Sequence, residues 1–145
     1  MAHILGIDPG THRIGWGVIS GTPSKQIYVA SGCLESTSGT KSEVYLPYLY
    51  DILTKIIIEY KPSAIGLETL LFQKNVKTAI TVAEARGVIL LVAAQNHIPV
   101  SSLAPNSIKS AVAGSGSAAK LEVTRMVGLL LGINCQKLID DETDA

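Results

Sequence analysis

The chain has 145 residues, 47% of them hydrophobic and 17% charged, enough for one domain with a buried core and too apolar for a disordered segment. Twelve basic and twelve acidic residues leave no net charge at neutral pH, which excludes a protein that coats nucleic acid by bulk charge alone. Cys33 and Cys135 have neither metal-ligand spacing nor the density of a disulfide scaffold, so two reduced thiols are expected and no zinc site.

Met1 to His3 lead straight into a strand without a charged leader, and the longest apolar run, Gly87 to Ala94, is too short to span a bilayer. A soluble, unexported, cytoplasmic protein with a single domain over residues 1–145 is expected. The first strand, Ile4 to Ile7, runs into the carboxylate of Asp8. Pro9 and Gly10 should stop it, with turn residues through Gly15 reversing the chain before Trp16 to Ile19 resume alternation. Asp in an Asp-Pro-Gly turn often bonds only its own backbone, so a chemical role for Asp8 has to rest on distant partners.

Gln26 to Leu34 alternates as a third strand, making a meander. From about Glu43 to Tyr60, Leu46, Leu49, Ile52, Leu53, Ile56 and Ile57 recur at helical spacing, with Pro47 placed in the first turn. Ala64 to Glu68 is a short apolar strand that again ends in a carboxylate. A loop, Leu70 to Asn75, precedes a helix from about Val76 to Asn96, with Val76, Ile80, Ala83, Gly87 and Leu91 on one stripe. Ile98 to Leu103 reads as a fifth strand and Pro105 to Ala113 as a short helix. Gly114 to Ser117 is a phosphate-friendly break before a helix from Ala118 to about Leu131, whose buried stripe is expected to be Val123, Met126, Val127 and Leu130. The final segment, Ile139 to Ala145, begins like a helix with acids in its first turn. Three meander strands followed by strand, helix and strand describe a mixed five-stranded sheet with helices on both faces, the ribonuclease H-like α/β fold.

A two-metal nuclease needs three or four converging carboxylates, because each divalent cation takes hard oxygen ligands while leaving sites for phosphate and water. Asp8 and Glu68 end neighbouring strands in this scheme, and Asp141 and Asp144, three residues apart, would share one helix face. Lys74, Lys77, Arg86, Lys109, Lys120 and Arg125 lie mid-chain and can form one basic face.

The segments Gly6-Ile7-Asp8-Pro9-Gly10, Ile65-Gly66-Leu67-Glu68, Ala85-Arg86-Gly87-Val88, Ile108-Lys109 through Lys120, and Asp141-Glu142-Thr143-Asp144-Ala145 resemble, in order and spacing, the bacterial RuvC family of Holliday junction resolvases. The resemblance covers almost the whole chain. It implies a homodimeric, magnesium-dependent endonuclease that nicks two opposed strands of a four-way DNA junction symmetrically in recombination and repair. Two ions per site are implied, with manganese able to substitute, and RuvA and RuvB are the expected partners. By position, Asp8, Glu68, Asp141 and Asp144 would be the metal-binding catalytic acids. Lys109 and Lys120 match family lysines near the scissile phosphate, with Lys120 counted as catalytic and Leu71, Phe72, Lys74, Lys77 and Arg86 as further DNA contacts. The family usually has an aromatic three residues after the loop glutamate; here Leu71 holds that place and Phe72 follows, and either can serve as the apolar wedge.

Two other families stay in view. The Gly-Ile-Asp-x-Gly-Thr hairpin also resembles the phosphate hairpin of actin-like ATPases, which close two lobes around a nucleotide where this chain supplies one. YqgF-like RNA nucleases begin similarly, but the lysine pair and the spacing of Asp141 and Asp144 favour a resolvase. A last expectation concerns Ile139 to Ala145, at most about two helical turns and too short to be stable alone. Such a shortened helix is expected to hold Asp141 and Asp144 loosely, so that a chain extended by about ten helix-forming residues would cleave faster and need less magnesium.

Overall fold

The structure, a computed structural model, describes residues 2–37, 39–69, 76–135 and 145, with Lys77 described by its backbone alone. Strands β1 (His3–Pro9), β2 (Arg13–Thr22) and β3 (Lys25–Glu35) form the expected antiparallel meander. The first turn is tighter than the composition suggests. Asp8 pairs with Gly15 and Pro9 with Ile14, and the Gly10 N–H donates to the Arg13 carbonyl at 2.9 Å, so Thr11 and His12 alone make the connection. A side chain at position 10 would run into that carbonyl, which is why glycine lets the strands stay paired past the proline.

Helix α1 (Ser42–Tyr60) crosses back to β4 (Ala64–Glu68), which lies parallel to β1. Lys61 ends the helix in the left-handed conformation and donates its N–H to the Ile57 carbonyl, and Pro62 prevents continuation. Pro47 sits inside α1, beyond its expected place in the first turn, since the helix begins at Ser42. The helix tolerates the missing N–H because Tyr45, Leu49 and Leu53 on either side are buried. Helix α2 (Val76–Gln95) then leads to β5 (Val100–Leu103), parallel to β4. The sheet order β3-β2-β1-β4-β5 is the mixed five-stranded sheet expected from the sequence, with β1 at its centre.

Leu5, Ile7, Ile65 and Leu67 point from one face of the sheet into a core completed by Leu49, Leu53, Ile89 and Val92 from α1 and α2. The buried stripe of α2 is therefore Val82, Ala85, Ile89, Val92 and Ala93. This corrects the stripe expected from periodicity, because Val76, Ile80 and Leu91 are 73%, 55% and 51% exposed. The helix is apolar on both sides, and from Thr78 to Gln95 it has the length and composition to cross a membrane, although no unbroken apolar run does. Helices α3 (Pro105–Ala113) and α4 (Lys120–Leu131) complete the described elements, α4 packing against β3. Val123 is buried on α4, whereas Leu130, expected with it, is 47% exposed.

One core side chain carries a polar defect. The Tyr45 hydroxyl is buried and has no hydrogen-bond partner among the described residues. Burial, followed by the nearby Cys33 and Tyr48, pushes its phenol up to about 12. A raised folded-state value means stability is whole below the ordinary tyrosine range near pH 10 and falls as pH climbs toward 12. Tyr45→Phe is expected to raise stability at pH 7 by about 1 kcal/mol and to flatten that alkaline loss. Denaturant unfolding of both proteins at pH 7 and pH 11 checks this; equal stabilities at both values would mean the hydroxyl finds a partner.

Candidate active site

Asp8 and Glu68 each follow by one residue the pair Ile7 and Leu67, which are in register on the adjacent parallel strands β1 and β4. Neighbouring strands lie about 4.8 Å apart, so the two residues are side by side. Ile7 and Leu67 are buried in the core under α1 and α2, and alternation turns Asp8 and Glu68 to the other face. There both line a cavity of about 910 Å³. Two partly exposed carboxylates held at strand ends by a rigid sheet suit a hard divalent cation, which needs fixed oxygens and room for water and substrate.

The same cavity brings in the lysines. Lys109 from α3 and Lys120 from α4 both line it. Gly114 makes this convergence possible: it closes α3 in the left-handed conformation (φ 76°), its N–H bonded to the Ser110 carbonyl, and turns the chain toward α4. Ser115 and Ser117 then hydrogen-bond one another at 2.9 Å across the bend. Lys120 opens α4, an end where the helix dipole disfavours a cation. Its placement there opposes helix stability and adds positive potential to the cavity that the two carboxylates line.

Ala145 lines the cavity too, and a side chain at Gly6 would collide with its carbonyl, so this residue lies directly over β1. Asp141 and Asp144 fall outside the described residues, as do Leu71, Phe72, Lys74 and the side chain of Lys77. Among the described residues no group of three or more histidines, cysteines or acids is gathered for a metal, so Asp8 and Glu68 are the described half of the expected ligand set. Arg86, expected as a DNA contact, has its guanidinium on the fold itself, donating to the Glu68 carbonyl at 2.9 Å and the Ser102 hydroxyl at 2.7 Å. Gln26 and Tyr28 of β3 line the far side of the cavity. Neither stood out in the sequence, and the available signal was their position two residues apart on one strand face.

A family model described as crossover junction endodeoxyribonuclease RuvC matches residues 4–145. Among curated relatives, a crossover junction endodeoxyribonuclease RuvC of Pseudothermotoga lettingae is 40% identical over 141 residues, covering 97% of this chain and 87% of the relative. One from a Roseiflexus species is 43% identical, covering 97% and 84%. The fold is similar to that of T. thermophilus RuvC in complex with a Holliday junction substrate, with TM-score 0.92 and 26% identity, over 100% of this chain and 88% of that one.

Proposed function

The chain belongs to the RuvC family of crossover junction endodeoxyribonucleases, and we propose that it resolves four-way DNA junctions by hydrolysing one phosphodiester bond in each of two opposed strands, in recombination and repair. The observation that carries this reading is the single cavity on which Asp8, Glu68, Lys109 and Lys120 converge from four separate elements. The acids are Asp8, Glu68, Asp141 and Asp144, the last pair supported by Ala145, next in sequence to Asp144, lining the same cavity. These four carboxylates would hold magnesium, two ions per site and replaceable by manganese, which when bound would supply Lewis acidity toward the phosphate and toward water.

The chain's own groups do the rest. Asp8 and Glu68, fixed on the central strands, would hold the ions at a set place relative to the sheet. Lys120 lies where it can meet the charge that grows on the phosphoryl oxygens, and Lys109 holds the strand beside it. Leu71 or Phe72 acts as the apolar wedge at the junction centre, and Lys74 and Lys77 contact its arms. Two nicks in opposed strands require two such sites, hence a homodimer. Its interface is the outer stripe of α2, where Val76, Ile80 and Leu91 are exposed around Gly87. The space open beside Gly87 suits close approach by a second helix. RuvA and RuvB are the proposed partners, and the cytoplasm the proposed location.

The deciding experiment compares magnesium-dependent cleavage of a mobile four-way junction, a linear duplex and a structured RNA; preference for the RNA would overturn the reading. Lys120→Ala is expected to lower the cleavage rate on the order of 100-fold with junction affinity within a few-fold of the parent. Equal loss of rate and affinity would reduce Lys120 to a phosphate contact.

A further inference from the structure

The backbone at the active-site end of the sheet lacks a hydrogen bond that the ladder calls for. Along β4, the Ile65 N–H donates to the Pro99 carbonyl at 2.9 Å and the Thr69 N–H to the Leu103 carbonyl at 2.8 Å. Backbone direction alternates along a strand, so the Glu68 carbonyl faces the opposite neighbour, β1. Along β1, the Gly10 N–H turns to Arg13 of β2, and the His3 carbonyl accepts from Ser63 just before β4. The odd-numbered residues of β1 therefore face β4. Parallel pairing runs to Ile7 and Leu67, and the donor next in line for the Glu68 carbonyl is the nitrogen of residue 9. Residue 9 is proline and has no N–H to give.

Arg86 reaches that carbonyl from α2. Its Nη1 donates to the Glu68 oxygen at 2.9 Å, and its Nη2 to the Ser102 hydroxyl on β5 at 2.7 Å. We infer that Arg86 is a positioning residue: its guanidinium takes the place of the strand hydrogen bond that Pro9 withholds, and by bridging β4 to β5 it fixes the backbone from which the Glu68 carboxylate projects. A planar guanidinium with parallel donors can hold both acceptors at once, which an ammonium cannot do with the same geometry. Pro9 and Arg86 are thus a matched pair, the proline ending the ladder beside Asp8 and the arginine restoring what that costs beside Glu68. The inference rests on the proposed role of Glu68 as a metal ligand.

The test uses Arg86→Ala, Arg86→Lys, Pro9→Ala and the double variant Pro9→Ala/Arg86→Ala in the full chain. Manganese binding is measured calorimetrically without DNA, junction affinity in EDTA, and cleavage rate as a function of magnesium. Arg86→Ala is expected to weaken ion binding and lower the maximal cleavage rate by about ten-fold each, as loss of a ligand-orienting partner does, with junction affinity in EDTA unchanged. Arg86→Lys, which keeps the charge and the stem, should fold like the parent and lose less. The double variant should regain ion binding toward the level of Pro9→Ala, because alanine brings back the missing N–H. Loss of junction affinity with ion binding intact would make Arg86 a phosphate contact and overturn the inference, as would a double variant no better than Arg86→Ala. If the parent chain itself bound no divalent ion, the metal-site reading would fail separately. Amide exchange at Thr69 would still decide the inference: faster in Arg86→Ala and slowed again in the double variant supports it, and no change overturns it.

Discussion

Asp8→Asn is expected to lower cleavage of a four-way junction on the order of 1,000-fold, since removing a ligand charge from the proposed metal site would take away several kcal/mol of transition-state stabilisation. Junction affinity should hold or rise. The substitution is nearly isosteric, and Asp8 sits on the central strand with its backbone paired to Gly15, so the sheet has no reason to move. The lost negative charge also reduces repulsion toward the phosphate backbone, which is why binding measured in EDTA should not weaken. Cleavage and binding are compared under matched salt, and wild-type cutting by the variant would remove Asp8 from the active site. Glu68→Gln should behave alike from the neighbouring strand.

The second large effect is expected at the outer face of α2. Ile80→Glu puts a charge on a stripe that also holds Val76, Leu91 and the open flank of Gly87. If two copies pair along this stripe, burying a glutamate against its own symmetry mate costs several kcal/mol, and dimer affinity should fall on the order of 1,000-fold. Sedimentation equilibrium reads the assembly state directly. A supercoiled plasmid with an extruded cruciform reads the consequence, because paired nicks linearise the circle and an isolated nick only relaxes it. The parent should give mainly linear product and Ile80→Glu mainly nicked circles. A variant that remains dimeric would move the interface elsewhere. The side chain is 55% exposed, so folding itself should be little disturbed.

The sheet was legible in the sequence because its strands are short, apolar and punctuated, with Pro99 and the Lys61-Pro62 pair marking boundaries that the structure keeps. Asp8 and Glu68 were legible for the same reason: each ends an apolar run, and parallel pairing of those runs brings them together. The face of α2 was not legible. Its residues are apolar at two helical phases, and periodicity cannot say which phase meets the sheet when both would bury well. The tight first hairpin is not legible because proline and glycine signal a stop, whereas position 9 needs no N–H to remain beside Ile14. Arg86 was legible as a cation and not as a brace, since its acceptor is a backbone carbonyl that no side-chain pattern announces.

The strand order has a consequence for how the site comes into being. Asp8 belongs to a meander closed by short hairpins, contacts that a chain makes early and at little entropic cost. Glu68 joins it only when β4 docks beside β1, across a separation of about 60 residues, as between Ser63 and His3. The proposed catalytic pair therefore straddles a seam between the fast-forming and slow-forming parts of the sheet. Partial opening along that seam would separate the two carboxylates while leaving the meander intact, so activity registers loosening of this fold before spectroscopic strand content does.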